Sequence, residues 1–197
     1  MQRNVIDFGE VQSSFLSVEK DIEKILTKLF FDYQSSNQQL LRLLVINTKD
    51  CLSNTQNPAY QQKIEETTLA TLINEGYIKL APKIAMPEQE KLKAYIIISF
   101  DNFSPTSNPQ FRDCSIHFDI ICHTDCWVMD NYQIRPLKIA GYIDGILNNA
   151  KLTGIGTLNF ISCSEIVLDE VLSGYTLSYR AVHGSDDQIE DNEQSND

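Results

Sequence analysis

The stretch Phe111-Arg112-Asp113-Cys114-Ser115-Ile116-His117-Phe118-Asp119-Ile120-Ile121-Cys122 decides the fold class. Cys114, Ile116, Phe118, Ile120 and Cys122 fall on one side of an extended chain, and Ser115, His117 and Asp119 on the other. Side chains of a strand point to opposite faces at period two, so this run predicts a strand with one face in a core. Just upstream, Lys93–Asp101 carries Tyr95, Ile96, Ile97, Ile98 and Phe100, a second β-rich run. Between them Asn102–Gln110 mixes Phe103, Pro105 and Pro109 with Ser and Asn, which reads as a loop. The two runs predict a hairpin with a long tip.

Outward from the hairpin, helical spacing takes over. Upstream, Val18, Ile22, Ile25, Leu26, Leu29 and Phe30 recur at steps of three and four, with Ser17 placed as an N-cap and Glu19 and Asp21 in the first turn. Gln38–Asp50 packs Leu40, Leu41, Leu43, Leu44, Val45 and Ile46 together. That density suits a buried strand or a helix, and the good helix formers from Gln38 to Leu44 favour the helix. Residues 53–58 form a loop by composition. A third helix is expected from Gln61 to Glu75, with Ile64, Leu69, Leu72 and Ile73 as its stripe and Gly76 at its left-handed end. Tyr77–Pro87 reads as an extended connector.

Downstream, 124–134 is irregular and holds the single Trp, Trp127. Arg135-Pro136 opens a fourth helix, since proline at the first helical position loses no hydrogen bond. Its expected stripe is Leu137, Ala140, Ile143, Ile146, Leu147 and Ala150, and 153–156 ends it. Thr157–Ser162 and Tyr175–His183 read as two more strands. Ile166, Val167, Leu168, Val171 and Leu172 between them form a short strand or a partner-facing segment. Helices, then a hairpin, then a helix, then strands predict an α+β fold: one mostly antiparallel or mixed sheet packed against helices. Residues 1–16 read as an N-terminal arm, 17–183 as a single domain, and 184–197 as an acidic tail.

The chain has 197 residues and a net charge of −11. Gripping a phosphate backbone needs clustered positive charge, so nucleic-acid binding by charge is disfavoured. Six acids lie between Ser185 and Asp197 with no Lys or Arg, and Ile189 is the only aliphatic residue there. Such a segment buries too little to order alone, and is expected either to solubilise or to order on a partner. Nothing near the start resembles a secretory signal, and no apolar run approaches the ~20 residues of a membrane helix, so no membrane association is expected. Five cysteines without a signal peptide are expected as free thiols.

Catalytic and metal motifs are thin. Cys114, His117, Cys122, His123 and Cys126 look like ligand types, but Cys114 and His117 are an odd number apart on a strand and face opposite sides. A structural zinc needs four converging ligands. No helix N-terminus or basic neighbourhood marks Cys122 or Cys126 as an activated thiol beside a His. Gly154-Ile155-Gly156 lacks the third glycine of a dinucleotide loop. No cofactor, metal or catalytic residue is assigned, and a non-enzymatic role is expected. The aromatic and basic residues Phe103, Phe111, Arg112, Trp127, Tyr132 and Arg135 have the composition of an interface.

The order of elements resembles the tail-terminator and head–tail joining proteins of tailed bacteriophages, and is closest in wording to the neck ring proteins of crAss-like phages. The segments that carry the resemblance are 40–48 (LLRLLVINT), Phe111–Cys122, Ile134-Arg135-Pro136 with 143–148 (IDGILN), and 174–179 (GYTLSY). It implies a virion structural protein, made in the host cytoplasm. Identical subunits would form a sixfold or twelvefold ring, twelvefold favoured, in the neck between portal and tail. Portal-side and tail-side neck proteins would be its neighbours, and DNA would pass through the lumen without sequence-specific binding. The competing expectation is a soluble adaptor module whose acidic tail engages a basic partner.

Overall fold

The computed structural model describes residues 18–32, 34–80, 93–107, 111–152 and 156–184. The expected arm (1–16), the Ser17 cap and the tail from 185 onward lie outside these. The elements are α1 (Val18–Phe30), α2 (Ser35–Val45), α3 (Pro58–Glu66), α4 (Leu69–Asn74), β1 (Ile78–Lys79), β2 (Ala94–Pro105), β3 (Phe111–His123), two 3₁₀ turns (Thr124–Cys126 and Asp130–Tyr132), α5 (Arg135–Leu147), β4 (Lys151–Leu152), β5 (Gly156–Thr157), β6 (Asn159–Val167) and β7 (Leu172–Gly184).

The expected α+β class is the one observed. Five strands form one mixed sheet in the order β1-β2-β3-β7-β6, and β4 and β5 form a separate ribbon. β1 runs parallel to β2, and every other pair is antiparallel. The alternation read in β3 is realised. Cys114, Ile116, Phe118, Ile120 and Cys122 are buried in the main core beneath the helices, with Ile96, Ile98, Leu177 and Tyr179 from the neighbouring strands. On the opposite face a smaller apolar cluster gathers Tyr95, Ile97, Ile121 and Leu172, with Ile166 packed on it.

The helical layer is built around α2, whose residues from Leu40 to Val45 are all buried. The C-terminal half of α2 is enclosed on all sides, and α2 packs against α1, α3, α5 and β2. Asn37 at its start donates from Nδ2 to the carbonyls of Lys28 and Leu29, which satisfies acceptors left open at the end of α1. At the far end, Arg42 donates to the carbonyls of Cys51 and Asn54 and pins the following loop.

Four expectations are corrected. The third helix is two helices, because Thr68 caps a fresh start by accepting from the Thr71 amide, while the Thr67 hydroxyl closes back on Lys63. The tip of the hairpin is shorter than its composition implied. β2 continues to Pro105 across an irregularity between Asp101 and Ser104, where Asn102 takes a positive φ of 53°. In α5 the buried stripe is Pro136, Ile139, Ala140, Ile143 and Leu147, so Leu137 lies on the exposed side and Ile139 replaces it. Residues 159–167 form one long strand, and Ile166 and Val167 end it rather than forming a separate segment. The expected left-handed Gly76 is present, at φ 72°. Gly184 still belongs to β7, one residue into the tail read from composition. Among the described residues no helix is long and apolar enough to cross a membrane.

Candidate functional site

The Cys/His group divides as strand geometry requires. Cys114 and Cys122 are buried on the helix face of β3, and burial pushes both thiols up, Cys114 to about 12. His117 stands on the opposite face. Cys126 is buried, its thiol raised by desolvation and donating to the His123 carbonyl. His123 accepts the Asp125 amide on Nδ1 and caps the first 3₁₀ turn. Among the described residues no three His, Cys, Asp or Glu side chains converge as a metal site would. Cys163 is the exposed cysteine and the other four are buried. A thiol reagent applied to the native chain is therefore expected to label Cys163 alone, slowly because that thiol too is raised, and all five after denaturation. Rapid native labelling of Cys126 would contradict this arrangement.

A polar row that the sequence does not announce crosses three strands of the face away from the helices. Ser178 Oγ lies 2.8 Å from His117 Nδ1, and His117 Nε2 lies 3.0 Å from Asp101 Oδ1. Beside it the Thr176 hydroxyl donates to Asp119 at 2.7 Å. The alternation placed His117 and Asp119 on this face, but only the register supplies Asp101 and Ser178. A serine, a histidine and an aspartate in sequence have the makings of a nucleophile, base and orienter. Acyl transfer also needs donors aimed at a developing oxyanion. Here the three side chains stand on the middle of a ladder, with His117 opposite Ser99 on one side and Ser178 on the other. What this geometry does is fix three polar side chains in register on a solvent-facing surface.

The residues expected at an interface separate into different roles. Arg135 is wholly buried and is corrected from a surface group to a structural one. Its Nε donates to the Cys126 carbonyl, Nη1 to those of Leu43 and Ile46, and Nη2 to that of Thr48, all at 2.7–2.8 Å. Leu43 lies in the last turn of α2 and Ile46 just beyond it, so the guanidinium sits at the negative end of that helix dipole. An arginine at the first position of α5 faces the positive end of its own helix, an unfavourable placement that was the one sequence signal of a task elsewhere. Trp127 is half-buried, donating from Nε1 to the Cys122 carbonyl, its ring 6.3 Å from that of Tyr175. Phe103 is half-buried against the main core. Arg112 is half-buried in β3. Phe111 opens β3, and its side chain lies outside the described set.

Tyr132 is 96% exposed and held at a positive φ of 58°, a conformation that costs a bulky residue of order 1 kcal/mol. Nearby in the chain Val128 and Ile134, joined by an antiparallel bridge, and Leu137 are also exposed. A second exposed group, Val167, Leu168 and Val171, occupies the turn between β6 and β7. The two lie at one end of the sheet: the Thr124 amide donates to the Val171 carbonyl, and Trp127, beside Val128, contacts Tyr175 of β7. Scattered apolar residues are ordinary at a surface, whereas a clustered set marks a contact.

A family model described as YomW matches residues 37–181, nearly three quarters of the chain and most of its sheet. Among curated proteins none matches. The chain belongs to the YomW family, a phage-type family.

Proposed function

We propose that this member of the YomW family is a structural subunit of the phage particle, forming a homo-oligomeric ring in the neck between portal and tail. The observation that carries the reading is the pair of exposed apolar groups at one end of the sheet, with Tyr132 projecting in a strained backbone conformation. A ring contact is heterologous: one surface of each subunit meets a different surface of the next. The exposed apolar residues at this end of the sheet would supply one of the two surfaces that such a contact needs. The order of elements supports the same reading through its resemblance to tail-terminator and neck ring proteins, which favours six or twelve copies, twelve by preference.

The net charge of −11 fits a lumen through which DNA slides, because a negative wall repels phosphate. On this reading the protein works by shape, makes and breaks no covalent bond, and has portal-side and tail-side proteins as neighbours.

Light scattering and negative-stain images of the purified chain should show closed rings of constant copy number. Labelled antibody should place the protein at the neck of the particle. Tyr132→Asp and Leu168→Asp should each weaken assembly roughly thirtyfold or more, as loss of an interface anchor worth ~2 kcal/mol does. Thermal stability should stay close to the parent, since both side chains are exposed. A chain that stays monomeric at all concentrations and is missing from purified particles would overturn the reading.

A further inference from the structure

Arg42, in the last turn of α2, is 5% exposed and carries a charge that no acid of the described residues offsets within ion-pair distance. Its Nε donates to the Cys51 carbonyl at 2.8 Å and its Nη2 to that of Asn54 at 2.9 Å. The acid nearest to it in sequence, Asp50, is taken up by the Asn54 amide and the Tyr60 hydroxyl. The negative end of the helix dipole supports the guanidinium in part. A buried cation that meets only neutral acceptors still bears a desolvation cost that an anion would offset. Both of its bonds use one edge of the planar fork, the edge that Nε shares with Nη2. The other edge, between Nη1 and Nη2, keeps two parallel N–H groups, the arrangement that takes a carboxylate in two hydrogen bonds. Nη1 has no hydrogen-bond partner among the described residues and is not sealed from solvent.

Arg42 lines a cavity of about 370 Å³ between α2 and α3. Gln38 and Gln39 stand four and three positions before it, on the same face of α2, and line the cavity with it. Gln61 and Glu65, four apart on α3, form the facing wall. The Gln61 Nε2 donates to the Thr55 carbonyl at 3.1 Å, which ties that wall to the loop that Arg42 pins. We propose that this cavity binds an amino-acid-sized molecule bearing a single carboxylate, its acid group on the free edge of Arg42 and its polar remainder among the three glutamine amides. A primary amide both donates and accepts, so three of them suit a neutral polar body. The volume lies at the small end of the range of ligand sites, about 300–1,000 Å³. Glu65 is exposed and is the one acid lining the cavity, so it limits the charge that can enter. A single carboxylate matches the guanidinium, whereas a second one would meet Glu65.

The proposal does not rest on the ring, and its test reads the same in any assembly state. Ligand-observed saturation-transfer titration of the full-length chain with L-glutamine, to about 20 mM, should saturate with a dissociation constant on the order of 1 mM. L-glutamine amide, whose α-carboxylate is replaced by a neutral amide, should bind at least about tenfold more weakly, as loss of a charged hydrogen-bonded pair requires. Glutarate, with its second carboxylate, should bind roughly fivefold more weakly than L-glutamine, and Glu65→Gln should bring the two within about twofold. Arg42→Lys should lose binding, but Arg42 also holds the loop after α2. Gln38→Leu, at an exposed position, gives a second reading without that complication: roughly fivefold weaker binding at an unchanged denaturant midpoint. Absence of saturable binding would overturn the proposal. So would equal binding of L-glutamine amide, a glutamine preference that Glu65→Gln leaves untouched, or binding that Gln38→Leu leaves unchanged. Rings that bind no L-glutamine sink this inference alone, and lone subunits that bind it sink only the ring.

Discussion

Arg135→Met should lower the unfolding free energy by roughly 4 kcal/mol, and a chain of this size should then lose about 10–15 °C in Tm. The methionine fills much of the volume but leaves four carbonyls, those of Cys126, Leu43, Ile46 and Thr48, without their donors. Bonds to a charged donor contribute about 1.5–3 kcal/mol each, and a buried acceptor stripped of its partner bears its desolvation cost in full. The buried guanidinium is tolerable without a facing carboxylate because the carbonyls it meets end α2, where the helix dipole is negative. Arg135→Lys should recover part of the loss, since an ammonium keeps the charge but cannot span acceptors that a planar fork reaches. The single tryptophan gives a local readout. The Arg135 amide donates to the Trp127 carbonyl at 2.7 Å, so loosening this junction should shift Trp127 emission to the red before global unfolding. A destabilisation below about 1 kcal/mol in Arg135→Met would show that water satisfies these carbonyls and that the clamp is incidental.

Arg135 also shows where sequence reading stops. Period-two alternation in Phe111–Cys122 was legible because each residue there reports its own face, whatever its neighbours do. The hairpin partner, the amphipathic α1 and the proline-led α5 were legible for the same local reason. Arg135, beside aromatic residues and outside any acidic pairing, had the composition of a surface. Its burial depends on where α2 ends, some ninety positions away, and nothing local encodes that. The polar row is similar. Alternation placed His117 opposite the core, yet bringing Asp101 and Ser178 against it depends on the register of two other strands. The division between α3 and α4 was hidden because Thr67 and Thr68 are tolerable within a helix and become a boundary only through the Thr68 cap. Leu137 stands two positions out of phase with Ile139 of the buried stripe, and on a helix that turns a side chain from core to solvent. The exposed apolar residues at the end of the sheet are half-legible: Tyr132 has interface composition in the sequence itself, whereas Val167, Leu168 and Val171 acquire a place only through the register of β6 and β7.

Gly174→Ala should have the largest effect of any single methyl addition in the sheet. A Cβ built on Gly174 would come within 1.7 Å of the Ile120 carbonyl oxygen and 2.8 Å of its carbon. These are backbone atoms of the adjacent strand, so no rotamer change can relieve the overlap; β3 and β7 would have to part. β3 is the middle strand of the five and β7 its neighbour, and the two are paired continuously from Phe111 with Gly184 to His123 with Leu172. Gly174 lies opposite both Ile121 on β3 and Ile166 on β6, which belong to the small apolar cluster on the face away from the helices. Separation there loosens that cluster together with the β6–β7 turn bearing Val167, Leu168 and Val171. Overpacking a core costs roughly 1–3 kcal/mol when side chains can yield. With backbone as the obstacle the loss should be at least about 3 kcal/mol, seen as a fall in the denaturant midpoint at nearly constant slope. Hydrogen exchange should localise it, with amides of 119–123 and 172–176 losing protection while α1 and α2 keep theirs. Serine at this position should be as harmful as alanine, because the conflict is with Cβ itself. On the proposed ring reading, assembly should fail with either substitution even under conditions where the subunit stays folded, since the turn between β6 and β7 carries part of the surface proposed for the contact. A stable Gly174→Ala chain with unchanged exchange would mean that β3 and β7 are spaced more widely at this point than their paired register implies.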